Sequence, residues 1–204
     1  MLVKGGMRSV ALAPEAGSER LRQSINKGIN ELQILEAIRL AGEAGMQQLK
    51  LYFMIGLPGE TDADIQAIAD LTLAGKKLIE DRRSKTRLTL NVSPFVPKAG
   101  TAFQRFPIAP LDILQSRIGF LKSRLAGQGI KIHNESPQWS EVQAVLSRGD
   151  STLAGALADI NQESLADWRQ AMAKHQIETD YVAHREWLAD SILPWSLLNP
   201  KSCI

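Results

Sequence analysis

The sequence is poor in the side chains that bind metals and form cross-links. Cys203 is the one cysteine among 204 residues. A single thiol cannot form an internal disulfide, and it cannot supply the three or four thiolates that hold a metal–sulfur cluster. The histidines, His133, His175 and His184, are scattered, and no two have the i, i+4 spacing of a helical metal site. We therefore expect no metal site, and we interpret all three histidines as structural or surface residues.

Long hydrophobic runs are also missing. The longest candidate, residues 51–57, is far shorter than the roughly 18–20 residues needed to cross a bilayer. Lys4 and Arg8 near the N-terminus are not followed by a long apolar stretch, so no signal peptide is expected. These features lead us to expect a cytoplasmic protein.

The sequence has no excess of charge of one sign. The formal net charge of +2 is too small to indicate nucleic-acid binding by itself. One basic cluster is denser and comprises Arg82, Arg83, Lys85 and Arg87. It could contact phosphate or an acidic partner. The favoured interpretation is the solvated end of a helix, where cations complement the helix dipole.

Strand and helix patterns alternate along the first two thirds of the chain. Residues 9–13, 49–55 and 88–92 have strand patterns, and residues 130–133 predict a fourth strand. Helical patterns follow the capping residues Ser18, Asn30 and Thr61, and a further amphipathic helix opens at Pro110. This order predicts an α/β fold with a parallel sheet and right-handed crossovers. Because residues 49–55 are almost continuously apolar, we expect both faces of that strand to be covered.

Three or four strands cannot close a barrel, so the sheet is either a small open layer or an arc of a larger barrel. We place this sheet-bearing domain at residues 1–133 and a helical C-terminal extension at residues 134–204. Ser140 is predicted to cap the first helix of the extension. All four tryptophans, Trp139, Trp168, Trp187 and Trp195, lie there and favour a small helical core over a cofactor site.

Polar or glycine-bearing stretches follow three predicted strands, at residues 14–18, 56–61 and 91–98. Ligands of parallel α/β folds bind beyond the carboxyl ends of strands, so these stretches should line one rim. The Glu15 carboxylate suits ribose hydroxyls, Ser18 begins a helix whose amides tolerate an anion, and Gly56 allows close approach to the backbone. Each residue also has a purely structural interpretation, as a turn or cap residue. Together, at matching strand ends, they favour a binding rim.

At these stretches the sequence resembles the radical SAM superfamily, in its cobalamin-binding-domain type. Residues 14–22 (PEAGSERLR), with residues 26–28 (NKG), resemble the turn after the fourth barrel strand. Residues 52–61 (YFMIGLPGET) resemble the fifth strand, and residues 92–98 (VSPFVPK) with 100–104 (GTAFQ) the sixth. Further similarity at residues 147–150, Trp168 and residues 193–195 matches the helical region after that barrel. The resemblance runs from about residue 5 to 195.

The resemblance implies half of a TIM-like (β/α) barrel of parallel strands that binds S-adenosylmethionine. Glu15 and Ser18 would contact the ribose, and Arg20 would contact the methionine carboxylate. The adenine would be bordered by Met54, Ile55 and Gly56, with Val96 on its other side. Asn91 and Ser93 would face the interior of the barrel, and Lys98 and Thr101 would lie near the substrate.

One departure from the family is large. The family holds a 4Fe-4S iron–sulfur cluster with three cysteines after the first barrel strand, and no such motif occurs here. Without the cluster no electron is available to cleave the sulfonium of S-adenosylmethionine. We therefore expect the C-terminal portion of a radical SAM protein, truncated relative to the family and not catalytic alone. Cobalamin would belong to a missing upstream domain.

Other interpretations stay open. The chain could be a non-catalytic interaction module on a degenerate radical SAM scaffold, with RNA or protein as partner. It could also be a fragment of an ordinary α/β barrel that is unrelated to S-adenosylmethionine-binding proteins. In the favoured interpretation a complementing N-terminal half-barrel chain is a partner. An open half-barrel leaves strand edges and its inner face unpaired, so we also expect self-association or support from the helical tail.

Overall fold

A computed structural model describes residue 3, residues 5–82 and residues 84–196. The chain divides into two compact units. The first comprises residues 1–94 and 112–135, and the second comprises residues 95–111 and 136–204. The sequence placed a single boundary after residue 133, whereas the structure groups residues 95–111 with the helices that follow residue 135.

The first unit alternates strands and helices in the order that the sequence predicts. Its elements are β1 (Ser9–Glu15), α1 (Glu19–Ser24), α2 (Glu31–Glu43), β2 (Gln48–Ile55), α3 (Asp62–Asp81), β3 (Arg87–Pro94), α4 (Leu111–Arg124) and β4 (Lys131–Asn134). The strands form one parallel sheet in the order β1-β2-β3-β4. The predicted α/β fold class is therefore confirmed, and the sheet is consistent with a partial radical SAM barrel.

The hydrophobic core of the first unit lies on one side of this sheet. On this side every second residue of β2 and β3 is fully or almost fully buried, namely Leu49, Leu51, Phe53, Ile55, Leu88, Leu90 and Val92. Thr89, on the opposite side of β3, is also buried. Helices α2 and α3 pack on each other and on the neighbouring strands β1 and β2. The other face of β2 is not buried, since Tyr52 is 39% exposed and Lys50 and Met54 are half-buried. The expectation that both faces of β2 are covered is therefore wrong, because the strand alternates as a one-sided strand does.

Three helices of the first unit begin at the capping residues that the sequence predicts. Ser18 caps α1 by accepting from the Leu21 amide, and Asn30 and Gln33 form a capping box on α2. Thr61 and Asp64 form another on α3. These three predicted helix starts are confirmed.

The second unit contains α5 (Pro137–Arg148), α6 (Leu153–Ala158), α7 (Leu165–Lys174) and α8 (Thr179–His184). The predicted cap at Ser140 is wrong. Ser136 caps α5, and Pro137 occupies the first turn, where its missing N–H costs nothing. Ser140 lies inside the helix and donates to the Ser136 carbonyl at 3.1 Å.

Of the four tryptophans, Trp168 is buried and the other three are half-buried. Trp187 and Trp195 pack edge to face, and the Arg185 guanidinium lies 3.4 Å from the Trp187 ring centre. None of the helices in the described part of the chain has the length and apolar character needed to span a bilayer.

Candidate functional site

The carboxyl ends of β1, β2 and β3 lie side by side. Glu15 pairs with Phe53 across the first strand pair, and Met54 pairs with Ser93 across the second. We call the ends of these three strands, with the loops at residues 15–18 and 56–61, the carboxyl edge. The structure thus brings together Glu15, Gly56 and Ser93, which the sequence assigns to one binding rim.

Glu15 ends β1 in an unusual backbone conformation. Its φ of +69° lies in the left-handed region, which is costly for a residue with a side chain. The pairing of β1 with β2 is irregular between Leu12 and Glu15, so the strand bends before its last residue. The Glu15 carboxylate is half-buried and lies 3.4 Å from the Lys27 ammonium. Strained residues of this kind occur disproportionately at functional sites.

The loop after β2 is fixed by a buried carboxylate. Gly56 has a φ of +81°, which glycine adopts without steric cost, and its N–H donates to Glu60 Oε2 at 2.6 Å. The Glu60 side chain is 1% exposed and forms an ion pair with Arg117 of α4. Arg117 also donates to the Glu60 carbonyl at 3.1 Å. The conformation of this loop therefore depends on α4, which lies more than fifty residues away in the chain.

Burial sets the protonation behaviour of Glu60. It raises the pKa of the Glu60 carboxyl to about 7, while the Gly56 amide and the Arg117 charge offset part of that rise. One oxygen of the carboxylate, Oε1, has no hydrogen-bond partner among the described residues. The sequence placed Glu60 only within the polar stretch at residues 56–61, and no sequence signal pointed to Arg117.

Asp64 joins the loop after β1 to the start of α3. Its buried carboxylate accepts from the Ser18 hydroxyl, from Arg20 at 2.5 Å, and from the Thr61 amide and hydroxyl at 2.7 and 2.8 Å. Burial acts to raise the pKa of Asp64, but these hydrogen bonds outweigh it and lower that pKa. At Gly17 a Cβ would come within 2.3 Å of the Asp64 carbonyl oxygen. The two segments are therefore in direct backbone contact.

Two of the side chains in these contacts, Ser18 and Arg20, are ones that the resemblance assigns to S-adenosylmethionine. The Ser18 hydroxyl donates to Asp64 and accepts from the Leu21 amide at 3.1 Å. Arg20 donates to Asp64 and to the Gly59 carbonyl at 3.1 Å. The geometry supports the structural interpretation of Ser18 as a helix cap, and it gives Arg20 a structural contact with the same carboxylate. The Thr61–Asp64 capping pattern is visible in the sequence, but the reach of Asp64 to Ser18 is not.

The uncovered side of the sheet presents polar and polarisable side chains. Tyr52 pairs with Asn91, and Asn91 pairs with His133 of β4. Met54 and Ser93 form the next row toward the carboxyl edge. We call this surface the open face; it comprises Lys50, Tyr52, Met54, Asn91, Ser93 and His133. All six are at least partly exposed.

Ile55 does not belong to the open face. It is 0% exposed and lies among the buried residues of β2. Any contact of Ile55 with a ligand at the carboxyl edge would involve its backbone.

Three further predicted residues belong to the second unit. Val96 is half-buried, and Lys98 and Thr101 are exposed. The Lys98 ammonium donates to the Ser147 hydroxyl at 3.1 Å, and the Thr101 hydroxyl donates to the Lys98 carbonyl at 2.7 Å. Lys98 thus contacts α5 of its own unit.

Comparison with known proteins gives two uncharacterised relatives and one family model that matches part of the chain. An uncharacterised protein of Methanocaldococcus jannaschii is 37% identical over 148 residues, which cover 72% of this chain and 31% of that protein. An uncharacterised protein of Methanopyrus kandleri is 30% identical over 140 residues, which cover 63% of this chain and 25% of that protein. The matched stretch thus spans less than a third of either relative. No solved structure matches the chain. A family model of the radical SAM superfamily matches residues 1–72, which include β1, β2 and the loops of the carboxyl edge that follow them.

Proposed function

We propose that this chain supplies the carboxyl-terminal part of a radical SAM barrel and contributes to binding S-adenosylmethionine at the carboxyl edge. The observation that carries the proposal is the shared edge of three neighbouring parallel strands, with Glu15, Gly56 and Ser93 at their ends. The match of residues 1–72 to the radical SAM model covers the first two of these strand ends.

The residues at the carboxyl edge fit part of an adenosyl group. A half-buried carboxylate such as Glu15 can accept hydrogen bonds from two ribose hydroxyls. Gly56 has no side chain between its backbone and a planar base, and Met54 and Ser93 lie one row below on the open face. Because Ser18 and Arg20 already bind Asp64, the proposed contacts centre on Glu15 and Gly56, with Asn91 and Ser93 toward the substrate.

The chain does not fit the iron–sulfur cluster of the family. A 4Fe-4S cluster needs thiolate ligands, and the sequence has one cysteine. The cluster, which supplies the electron in radical SAM chemistry, would therefore be held by residues outside this chain. The activity of the whole protein is part of the proposal, as is the cobalamin-binding type of the family, which rests on the motifs at residues 14–22 and 52–61. Lys98 and Thr101 stay proposed substrate-side residues on the same basis.

Amide chemical shifts of the isotope-labelled chain, measured during titration with S-adenosylmethionine, test the proposed binding. We expect the largest shift changes at Glu15, Gly56 and Ser93, because their backbone amides lie at the carboxyl edge. Glu15→Gln should weaken these changes, since a neutral amide accepts less strongly from ribose hydroxyls. The matched control is Glu19→Gln, an exposed residue of α1, which should leave them unchanged. Saturating ligand without shifts at the carboxyl edge would refute the proposal.

The first unit also supports a partner that completes the sheet. Within the described residues, β1 has a strand neighbour on one side, and an edge strand presents unpaired backbone groups. We propose that a complementing N-terminal half-barrel, or a second copy of the chain, covers this edge and the open face. Light scattering checks this: we expect self-association of the chain alone. A strictly monomeric chain with cooperative melting would contradict it.

An RNA partner is the alternative function, and it has less support. Arg82 pairs with Glu43, which also pairs with Arg39 at 2.6 Å, so part of the basic cluster is neutralised. Arg83 lies outside the described residues. Filter binding across a salt series tests this alternative, because phosphate contacts weaken steeply as salt rises. Absence of salt-dependent binding would remove it.

A further inference from the structure

A cluster of two carboxylates and one imidazole lies in the second unit and includes none of the residues proposed to bind S-adenosylmethionine. Glu141 belongs to α5, and Asp180 and His184 are one turn apart on α8. His184 Nε2 lies 2.9 Å from Glu141 Oε1 and 3.8 Å from Asp180 Oδ1. One ligand atom from each residue lies within 4.8 Å of the other two. Among the described residues this group has the spacing of a metal site.

The hydrogen bonds of His184 turn its Nε2 atom toward the two carboxylates. Its Nδ1 lies 3.1 Å from the Ile108 carbonyl oxygen, which can only accept, so Nδ1 carries a proton. In an imidazole with one proton, Nε2 is then an acceptor, yet it faces the Glu141 carboxylate at 2.9 Å. An imidazole nitrogen and a carboxylate oxygen at this distance are both atoms that can coordinate one cation. The nearby Asp180 carboxylate adds a further negative charge.

The other histidine pair of the second unit differs in this respect. His175 Nε2 lies 2.6 Å from Asp159 Oδ2, but Lys174 pairs with the same carboxylate oxygen at 2.9 Å. A protein cation therefore already neutralises Asp159, and the hydrogen bonds from Lys174 and His175 lower its pKa. The His184 cluster has a second carboxylate in the place where the His175 pair has a lysine.

We propose that Glu141, Asp180 and His184 form a binding site for a divalent transition-metal ion of the zinc class. Imidazole and carboxylate ligands are those that zinc accepts, at about 2.0–2.2 Å. The bond from Nδ1 to the Ile108 carbonyl orients the ring so that Nε2 is the metal-facing atom, as in most histidine metal sites. Asp180 is 94% exposed, so its side chain is free to turn toward an ion, and solvent can supply the remaining ligand. The ion would join α5 to α8.

Zinc alone is the probe for this site, titrated into the chain carrying Cys203→Ser so that a thiolate cannot bind it. We expect one zinc ion per chain by calorimetry, with a raised melting temperature, because an ion that binds the folded state stabilises it. Cobalt in place of zinc should give strong visible absorption, as a low-coordinate site does and hydrated cobalt does not. Absence of stoichiometric zinc binding would overturn the proposal.

Variants assign the ligands. Asp180→Asn removes an exposed carboxylate and leaves the fold unchanged, and Glu141→Gln removes the other. His184→Asn keeps a donor near the Nδ1 position for Ile108 while removing Nε2. Each should weaken zinc binding by at least about tenfold. The matched control, His175→Asn, should bind zinc like the parent. If Asp180→Asn and Glu141→Gln, both folded by circular dichroism, bind zinc undiminished, the site is refuted.

Discussion

Each unit contains a fully buried arginine that donates to backbone carbonyls, but the two arginines connect very different distances along the chain. Arg22 in the first unit donates to the carbonyls of Ala16, Gly17 and Ile29, all within seven residues of it. Arg148 in the second unit donates to carbonyls 35 to 42 residues away. The same chemistry thus fixes a local turn in one unit and connects separate segments in the other.

The segments that Arg148 connects show why residues 95–111 belong to the second unit. Its carbonyl partners are Phe106, Ala183 and Arg185. Backbone bonds add to this connection, since the Ile108 amide donates to the Ala183 carbonyl at 3.2 Å and the Trp187 amide to the Arg105 carbonyl at 2.9 Å. Burial, with a contribution from Arg185, lowers the pKa of Arg148 to about 10. Residues 95–111 are grouped with the C-terminal helices because these bonds hold them there.

The largest effect is expected from Arg148→Ala. The substitution leaves the Phe106 and Arg185 carbonyls without this buried donor, and the Ala183 carbonyl keeps only the Ile108 amide. Each unpaired buried group costs about 1–3 kcal/mol. We expect a loss of about 3–5 kcal/mol in the free energy of unfolding of the second unit, measured by urea denaturation. Arg169→Ala, an exposed arginine of α7, is the matched control and should change stability little. Similar stabilities for the two variants would mean that Arg148 does not hold these segments together.

Glu60 provides a long-range contact in the first unit. The pH dependence of the stability of the chain tests whether its carboxyl group is buried there. Its pKa is about 7 in the folded chain against an ordinary value of 4.5, so the folded state retains a proton that the unfolded state loses. Stability should therefore fall as pH rises from 4.5 to 7, by at most about 3.4 kcal/mol at 1.36 kcal/mol per pKa unit. Glu60→Gln should remove this contribution to the slope, whereas Glu80→Gln, an exposed residue of α3, should keep it. Equal slopes in all three proteins would argue against a buried carboxyl at Glu60.

Arg22→Ala tests the buried arginine whose carbonyl partners are close to it along the chain. It also leaves three carbonyl groups without their donor, but all three lie within seven residues of Arg22, so the substitution separates no distant segments. We expect a loss of about 2 kcal/mol in the free energy of unfolding, smaller than for Arg148→Ala. Arg8→Ala, N-terminal to β1 and exposed, serves as the control. A loss equal to that of Arg148→Ala would show that the distance spanned along the chain is irrelevant.

The smallest effect is expected from Ser18→Ala, which removes one helix cap and one bond to Asp64. A loss of about 1–2 kcal/mol is typical for an N-cap serine. The accompanying affinity measurement is more informative, because Ser18 already binds Asp64. If Ser18→Ala weakens S-adenosylmethionine binding as much as Glu15→Gln does, Ser18 also contacts the ligand. An unchanged affinity with reduced stability would confirm its structural role.

Much of the first unit was predictable because its signals are local. The strands and helix starts at Ser18, Asn30 and Thr61 follow from short patterns of apolar and capping residues. The shared edge of Glu15, Gly56 and Ser93 follows from parallel pairing of neighbouring strands. The open face of β2 was missed because a mostly apolar strand does not reveal whether a layer covers each side.

The candidate site was predictable only in part. The positions of Glu15 and Gly56 at strand ends were predictable, and their role in binding stays a proposal. Ser18 and Arg20, which the resemblance assigns to a ligand, form hydrogen bonds to Asp64 that the sequence did not indicate. Nothing in the sequence placed Arg117 beside Glu60, since the two are far apart in the chain and neither has a distinctive local pattern. The Glu141–His184 contact is long-range in the same way.

The sequence by itself determined the alternation of strands and helices, the caps of the first unit and the order of the three strand ends, because these depend on neighbouring residues. Only the tertiary structure decided which polar side chains already have hydrogen-bond partners, which face of the sheet is exposed and which buried charges form ion pairs. Those outcomes depend on burial and on contacts between distant segments, and both arise only when the chain has folded.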